Sequence, residues 1–180
     1  MATATKLLTA EDLYRLPSDF YCELIDGVLI ELSPPGNVHA RVVTKVTVAM
    51  ARAEAMGLGF GLSDAGYVLR RGPDTVRAPD VAFFRAGGMD VSELPRGVSD
   101  LVPDIVVEVV STWDRPGEIQ AKIRDWLESG VRLVIYVYPE TRAVHMIRSL
   151  TDREELMVAD TMTFGDLLPG FTCPVSDFFD

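Results

Sequence analysis

Cysteine is scarce in this chain: Cys22 and Cys173 stand alone and far apart. They make neither the paired spacing of a zinc site nor a disulfide framework, and a reducing cytoplasm is the expected setting. Long apolar runs are missing as well. No stretch approaches the roughly 20 residues that a membrane span needs, so no membrane partner is expected. The opening "MATATKLLTAEDL" lacks the apolar core of a secretory signal. Repeats, low-complexity tracts and linkers are absent too, so the 180 residues are expected to form one domain over 1–180. The scarcest commodity is positive charge, with 17 Lys and Arg against 27 Asp and Glu and a net charge of −10. That balance disfavours a surface that grips nucleic-acid phosphates broadly and without specificity. It leaves room for a local basic strip, and it suits a site that collects carboxylates for a metal.

What is present begins with Thr9, placed to cap a short helix, "AEDLYRL", that Pro17 ends. "YCELIDGVLIEL" reads as a hairpin, two apolar runs around Asp26-Gly27, the residue pair of a type I′ turn. After "SPPG", Asn37 is a candidate cap for a helix whose Val42, Val46, Ala49 and Ala53 form one stripe, and Gly57 can end it. "GYVLR", a turn at "RGPD" and then "VRAPDVAFF" read as strands. A strand over 104–111, a helix over 118–129 stopped by Gly130, and the strand "RLVIYVY" make a compact βαβ crossover, so the two strands are expected to be parallel neighbours. "AVHMIRS" returns beside them, and the tail "TFGDLLPGFTCPVSDFF" reads as irregular with apolar anchors. The expected fold class is α/β, a mixed central β-sheet flanked by helices, with the hairpins on either side of the crossover in the same sheet.

Within "PDIVVEVVSTWD", Ile105, Val106, Val107, Val109 and Val110 describe a strand buried on both faces, and Glu108 stands in its middle. A carboxylate there costs several kcal/mol unless a cation, a metal or a proton answers its charge. Alternation puts it on the face of Val106 and Val110. Asp80, between Pro79 and "VAFF", and Glu23, between Cys22 and Leu24, are further acids in strand-like apolar settings. Three carboxylates from three strands would suit a hard cation such as Mg²⁺ or Mn²⁺. Plainer readings stand beside each: an ion pair of Glu108 with an arginine, Asp80 opening a strand on backbone amides, and Glu23 projecting from an edge strand into water. Asp104 reads as a turn or cap residue. On the helix that follows, Ile119, Ile123, Trp126 and Leu127 mark the buried face. Lys122 falls about 40° from Trp126. It either snorkels along apolar surface to water or reaches over the sheet end towards Glu108. Arg124, Asp125 and Glu128 are expected to point the other way.

These residues resemble the PD-(D/E)XK restriction-endonuclease-like superfamily, with "APDVAF" as the aspartate element and "PDIVVEVVS" plus its helix as the rest. The chain is similar, more closely, to the Uma-type endonuclease family. The matching stretches are "YCELIDGVLIELSPPGNVHARVV", "VRAPDVAF", "PDIVVEVVSTWDR", "KIRDWLESGVRLVIYVYPETR" and "LPGFTCPVSDFF", in that order. The resemblance implies a restriction-endonuclease-like fold in which Asp80 and Glu108 bind a divalent metal and Glu23 completes the site. The family's lysine normally stands two residues after the acid, where this chain has Val110, and Lys122 on the following helix takes its place.

The resemblance further implies a Mg²⁺- or Mn²⁺-dependent endonuclease that hydrolyses phosphodiester bonds of nucleic acid, with DNA favoured. The metal would polarise a phosphoryl oxygen and lower the pKa of a bound water, and Lys122 would position or activate that water. A homodimer follows if both strands are cut. Two other classes remain open: a member of the fold without catalysis, used for assembly or nucleic-acid binding, and a phosphodiesterase on small nucleotides, which the acidic surface suits. Arg41, Lys45, Arg70, Arg71, Arg77 and Arg115 lie near the motifs and read as scattered surface charges. His39, in the first turn of its helix, either faces the site or, as is commoner for such a position, is exposed. No helix-turn-helix or zinc module for reading bases is present.

Overall fold

The computed structural model describes residues 7–17, 21–97 and 99–180; the segment read for a secretory signal starts outside them. Thr9 caps α1 (Ala10–Tyr14) in a capping box, its hydroxyl accepting the Asp12 amide while the Asp12 carboxylate accepts the Thr9 amide. Strands β1 (Cys22–Ile25) and β2 (Val28–Glu31) pair antiparallel. Asp26 and Gly27 between them have φ of 51° and 76°, both positive as a type I′ turn requires. Helix α2 (Asn37–Ala55) begins after Gly36 with no side-chain cap, so Asn37 is its first residue rather than its cap. There follow β3 (Gly59–Ser63), β4 (Tyr67–Arg70), β5 (Thr75–Arg77), β6 (Val81–Arg85) and β7 (Ile105–Val109). Helix α3 (Pro116–Ser129) opens on a proline, whose missing N–H has no partner to lose in the first turn, and stops at Gly130 with a φ of 106°. Strands β8 (Leu133–Tyr138), β9 (Ala143–Ile147), β10 (Arg153–Met157), β11 (Thr161–Thr163) and β12 (Thr172–Pro174) complete the chain.

The central sheet is six-stranded, in the order β10-β9-β8-β7-β6-β3. It is mixed: β7 and β8 are parallel, as the crossover requires, and the other neighbours are antiparallel. Helices cover both faces. Val42, Val46, Ala49, Met50 and Ala53 of α2 pack on the face carrying Ile105, Val107, Leu133 and Ile135. Ile123 and Trp126 of α3 pack on the opposite face, with Val106, Val134 and Tyr136. This is the expected α/β class. Among the described residues no helix is long and apolar enough to cross a membrane.

The N-terminal hairpin does not join that sheet. It forms a second, antiparallel sheet in the order β2-β1-β5-β4. The stretch "VRAPDVAFF" is therefore two strands and not one. Pro79 has no N–H to give to a ladder, and at Ala78-Pro79 the chain leaves one sheet for the other. Strand β3 has no counterpart in the sequence reading because Gly59 and Gly61 thin its pattern. A Cβ at Gly59, where φ is 147°, would stand 2.0 Å from the Phe84 carbonyl oxygen, so the close pairing with β6 depends on glycine. The "REELM" stretch is an edge strand, and the tail read as irregular contains β12, which pairs with β11 at the tail's start.

Candidate active site

The two sheets meet where the chain passes between them. In the smaller sheet Leu24 pairs with Val76, so the next position sets Glu23 opposite Arg77. In the central sheet Val81 pairs with Val107, so the next position sets Asp80 opposite Glu108. Four consecutive residues, Arg77 to Asp80, thus supply one member of each pair. Glu23 is 3% exposed because β1 is an inner strand between β2 and β5, not the solvent-facing edge that the plainer reading supposed. Glu108 is 6% exposed on the α3 face of β7.

Helix α3 closes the cluster. Lys122, Asp125 and Trp126 are spaced i, i+3, i+4 and share one side of the helix. The Lys122 ammonium donates to Glu108 Oε2 at 2.9 Å and lies 3.2 Å from Glu23 Oε1. The Trp126 indole N–H donates to the other oxygen of Glu108 at 2.8 Å. Arg77 donates to Glu23 Oε2 at 2.7 Å and, with the other side of its fork, to Asp125 Oδ2 at 2.5 Å and 3.1 Å. The Ala78 amide donates to Glu23 Oε1 at 3.2 Å. Every carboxylate in this chain of contacts has both a charge partner and a hydrogen bond, the condition for burying charge at tolerable cost. Glu23, Arg77, Glu108, Lys122 and Asp125 line one cleft of about 450 Å³.

Asp80 is held differently. Its Oδ2 accepts the Val109 amide at 2.6 Å, and its Oδ1 lies 3.4 Å from Nε2 of His39 on α2. So the structure gathers Glu108, Lys122 and Glu23 around one ammonium, with Asp80 alongside and turned to His39. Of the two readings of His39, the commoner exposed one fails: its side chain is 15% exposed and turned to Asp80. The hydrogen bond to Asp80 raises its pKa more than burial lowers it.

Three acids of the main cluster (Glu23, Glu108, Asp125) face two bases (Arg77, Lys122), and burial and these charges together set the titration behaviour. Burial pushes the Glu108 carboxyl up to about 7; Lys122 opposes the shift, while the charges of Asp80 and Glu23 add to it. Burial would lower Lys122, but the Glu108 and Glu23 carboxylates outweigh it and hold the ammonium protonated. Glu23 is lowered in spite of its burial, because Lys122 and then Arg77 stabilise its charge. The Tyr136 hydroxyl, on the residue paired with Glu108 across β7–β8, is buried without a partner, and its pKa is raised first by burial and then by Glu108.

Carboxylate oxygens are the donors that a hard divalent ion takes. Among the described residues, however, no group of three His, Cys, Asp or Glu stands at metal-holding spacing. The geometry gives the reason: Lys122 lies between Glu23 and Glu108, and Asp80 is engaged by Val109 and His39. The carboxylates that add to the burial-driven rise of Glu108 also favour a cation. The donor set therefore fits a hard divalent ion in its chemistry, provided that Lys122 gives way.

Arg77 and Asp125 escaped the sequence reading. Arg77, grouped there with scattered surface charges, is 6% exposed, and Asp125, expected to point away, is its partner. The helical wheel of α3 could not show that a second sheet packs on its flank. The alternation that buries Glu23 also buries its cross-strand neighbour, and that was the available signal. Arg70 and Arg71 are also committed, Arg70 to Asp26 and Arg71 to Glu11, Asp74 and Asp100. Asp104 stands at the bend before β7, where its carboxylate accepts the Arg85 amide and side chain from across the sheet. Replacing Arg77 with lysine leaves one ammonium to serve two carboxylates, so a loss of about 1–3 kcal/mol is expected in urea unfolding; an unchanged midpoint would show that the fork is not needed.

A mixed sheet with a helix on each face, and buried acids and a lysine converging beside a central strand, defines an α/β fold with a charged cleft. The chain belongs to the Uma2 family, described as "Putative restriction endonuclease", whose model matches residues 10–176. It is similar to a crystal structure of a "putative nuclease belonging to DUF820" from Anabaena variabilis, with a TM-score of 0.79 and 15% identity over 96% of this chain and 97% of that one. That likeness is one of fold. No curated protein sequence matches the chain.

Proposed function

We propose that this chain is a metal-dependent nuclease that hydrolyses phosphodiester bonds of nucleic acid, with DNA the favoured substrate and Mg²⁺ or Mn²⁺ the ion. The observation that carries the reading is the contact of Lys122 with Glu108 and Glu23, three residues brought from a helix and two sheets to one cleft. Asp80 and Glu108 would hold the ion, with Glu23 completing the set. The ion would supply Lewis-acid polarisation of the phosphoryl group and a more acidic water.

The side chains then have separate tasks. The Trp126 indole fixes one oxygen of Glu108, and Lys122 holds the other. The Val109 amide holds Asp80, and the Arg77 fork holds Glu23. Lys122 is held protonated by its carboxylates, which suits it to offset charge on the phosphoryl oxygens and to orient a water rather than to remove that water's proton.

The test is incubation of supercoiled and linear DNA with Mg²⁺ or Mn²⁺ and with a chelator. Cleavage is expected with the ion only, and Asp80→Asn should lower its rate about 100-fold or more. Cleavage that survives chelation or the Asp80 exchange would overturn the reading. Two-strand cutting would take two copies, so a homodimer belongs to the proposal; monomeric sedimentation with DNA bound would remove it. The net charge of −10 favours a second reading, a phosphodiesterase on small nucleotides. It predicts turnover of a nucleotide panel with no action on DNA.

A further inference from the structure

Beyond β7 the chain passes through Ser111, Thr112, Trp113 and Asp114 before α3 begins. Asp114 accepts the Ser111 amide at 2.8 Å and donates its own amide to the Ser111 carbonyl at 3.1 Å. The turn so formed carries Trp113 into solvent at 84% exposure. The only other tryptophan, Trp126, is fully buried. An indole left in water forgoes most of the apolar contact that the ring can make, and no role in the core accounts for Trp113.

Its surroundings suggest what it meets. Trp113 lines a cleft of about 540 Å³ together with Tyr138, Asn37, His39, Thr112 and Thr141. That is within the roughly 300–1,000 Å³ of small-molecule sites, and its polar groups set among apolar rings match a planar, edge-functional ligand. Asp114 lines both this cleft and the one that holds Glu108, so the two adjoin. On its other side a smaller cleft shares Asn37, Val38 and Pro139 and is lined by Arg41. Asp114 and Glu140 on the walls repel a phosphate from the cleft itself. Arg41, in no ion pair among the described residues, provides for one at its rim.

We propose that this cleft receives an unpaired nucleobase of the substrate, stacked on Trp113, with an adjoining phosphate at Arg41. The inference rests on the nuclease reading for the identity of the ligand, and it narrows the substrate to single-stranded or locally opened nucleic acid. Stacking on an aromatic side chain takes a base out of the duplex and tolerates any sequence. A local aromatic anchor also answers the acidic net charge, which leaves little for a grip through phosphates alone.

The experiment measures binding of labelled ten-nucleotide deoxy- and ribo-oligonucleotides by fluorescence anisotropy, with chelator present so that no cleavage intervenes. Single strands are expected to bind more tightly than the matching duplex and to quench the red-shifted emission of the exposed indole. Trp113→Ala should weaken single-strand binding about 10-fold, and Trp113→Phe should keep most of it. Trp113 is exposed, so neither exchange disturbs the fold. The deoxy and ribo arms decide which sugar is accepted. Equal binding by wild type and Trp113→Ala, preference for duplex, or no binding at all would overturn the proposal. Its failure is distinct from that of the nuclease reading: DNA cleavage with affinity indifferent to Trp113 sinks this inference alone. Trp113-dependent binding without cleavage under Mg²⁺ or Mn²⁺ sinks only the other.

Discussion

Exchange of Glu108 for glutamine is expected to lower phosphodiester cleavage by about 100- to 1,000-fold or more while the chain still folds. Glutamine keeps the volume and one acceptor oxygen, but it loses the charge that a divalent ion needs. Its amide N–H₂ group must also face either the Lys122 ammonium or the Trp126 indole, both donors. A second readout needs no metal. The Glu108 carboxyl has its pKa raised from 4.5 to about 7 in the folded chain. A raised acid favours the folded state when protonated, so its contribution is complete below about pH 4.5 and is lost as pH rises through about 7. Urea unfolding in chelator should therefore show wild type losing stability relative to Glu108→Gln across that window. A constant difference between the two would show that Glu108 is not the group that titrates there.

Exchange of Lys122 for methionine removes the one cation that, among the described residues, touches both Glu108 and Glu23. Breaking a buried pair from one side leaves uncompensated charge, which costs up to about 3–5 kcal/mol at a pH high enough to keep Glu108 ionised. The cost is less near neutrality, where that carboxyl, already raised to about 7, takes up a proton instead. For a chain of this size the full cost is a fall in Tm of roughly 10 °C. Arg77 still serves Glu23, so the deficit falls chiefly on Glu108. The exchange should also enlarge the response to metal. With the ammonium gone, a divalent ion has less to displace, and an ion at about 100 times its Kd returns about 2.7 kcal/mol. Thermal unfolding with and without Mn²⁺ should show a larger gain in the variant than in wild type, even though the variant no longer cleaves. Equal gains would remove Glu23 and Glu108 from the ligand set.

Much of this arrangement was legible in the residues. A carboxylate among valines demanded a partner, the period of the helix put Lys122 within reach of it, and the short connection from β7 to α3 allowed the contact that is observed. The parallel β7–β8 pair followed from the crossover. What was hidden depended on the second sheet. Helical periodicity reports one packed face, and α3 packs on two, so Asp125 was assigned to solvent. Strand periodicity cannot say that "VRAPDVAFF" changes sheets at its proline, and without that change Arg77 had no buried partner and Glu23 had an edge to point from. His39 was left open for a related reason: a helix start reads most readily as exposed until the strand end that lies across it, here Asp80, is known.

The passage from Arg77 to Asp80 has a consequence for the order of assembly. One end of this four-residue bridge is registered in the smaller sheet and the other in the central sheet, and α3 must dock across both before Lys122 and Trp126 find their acceptors. A chain with only one sheet formed holds its acids apart. The cluster therefore exists only where both sheets and the helix are in place together, and a copy with either sheet open carries its residues without their contacts.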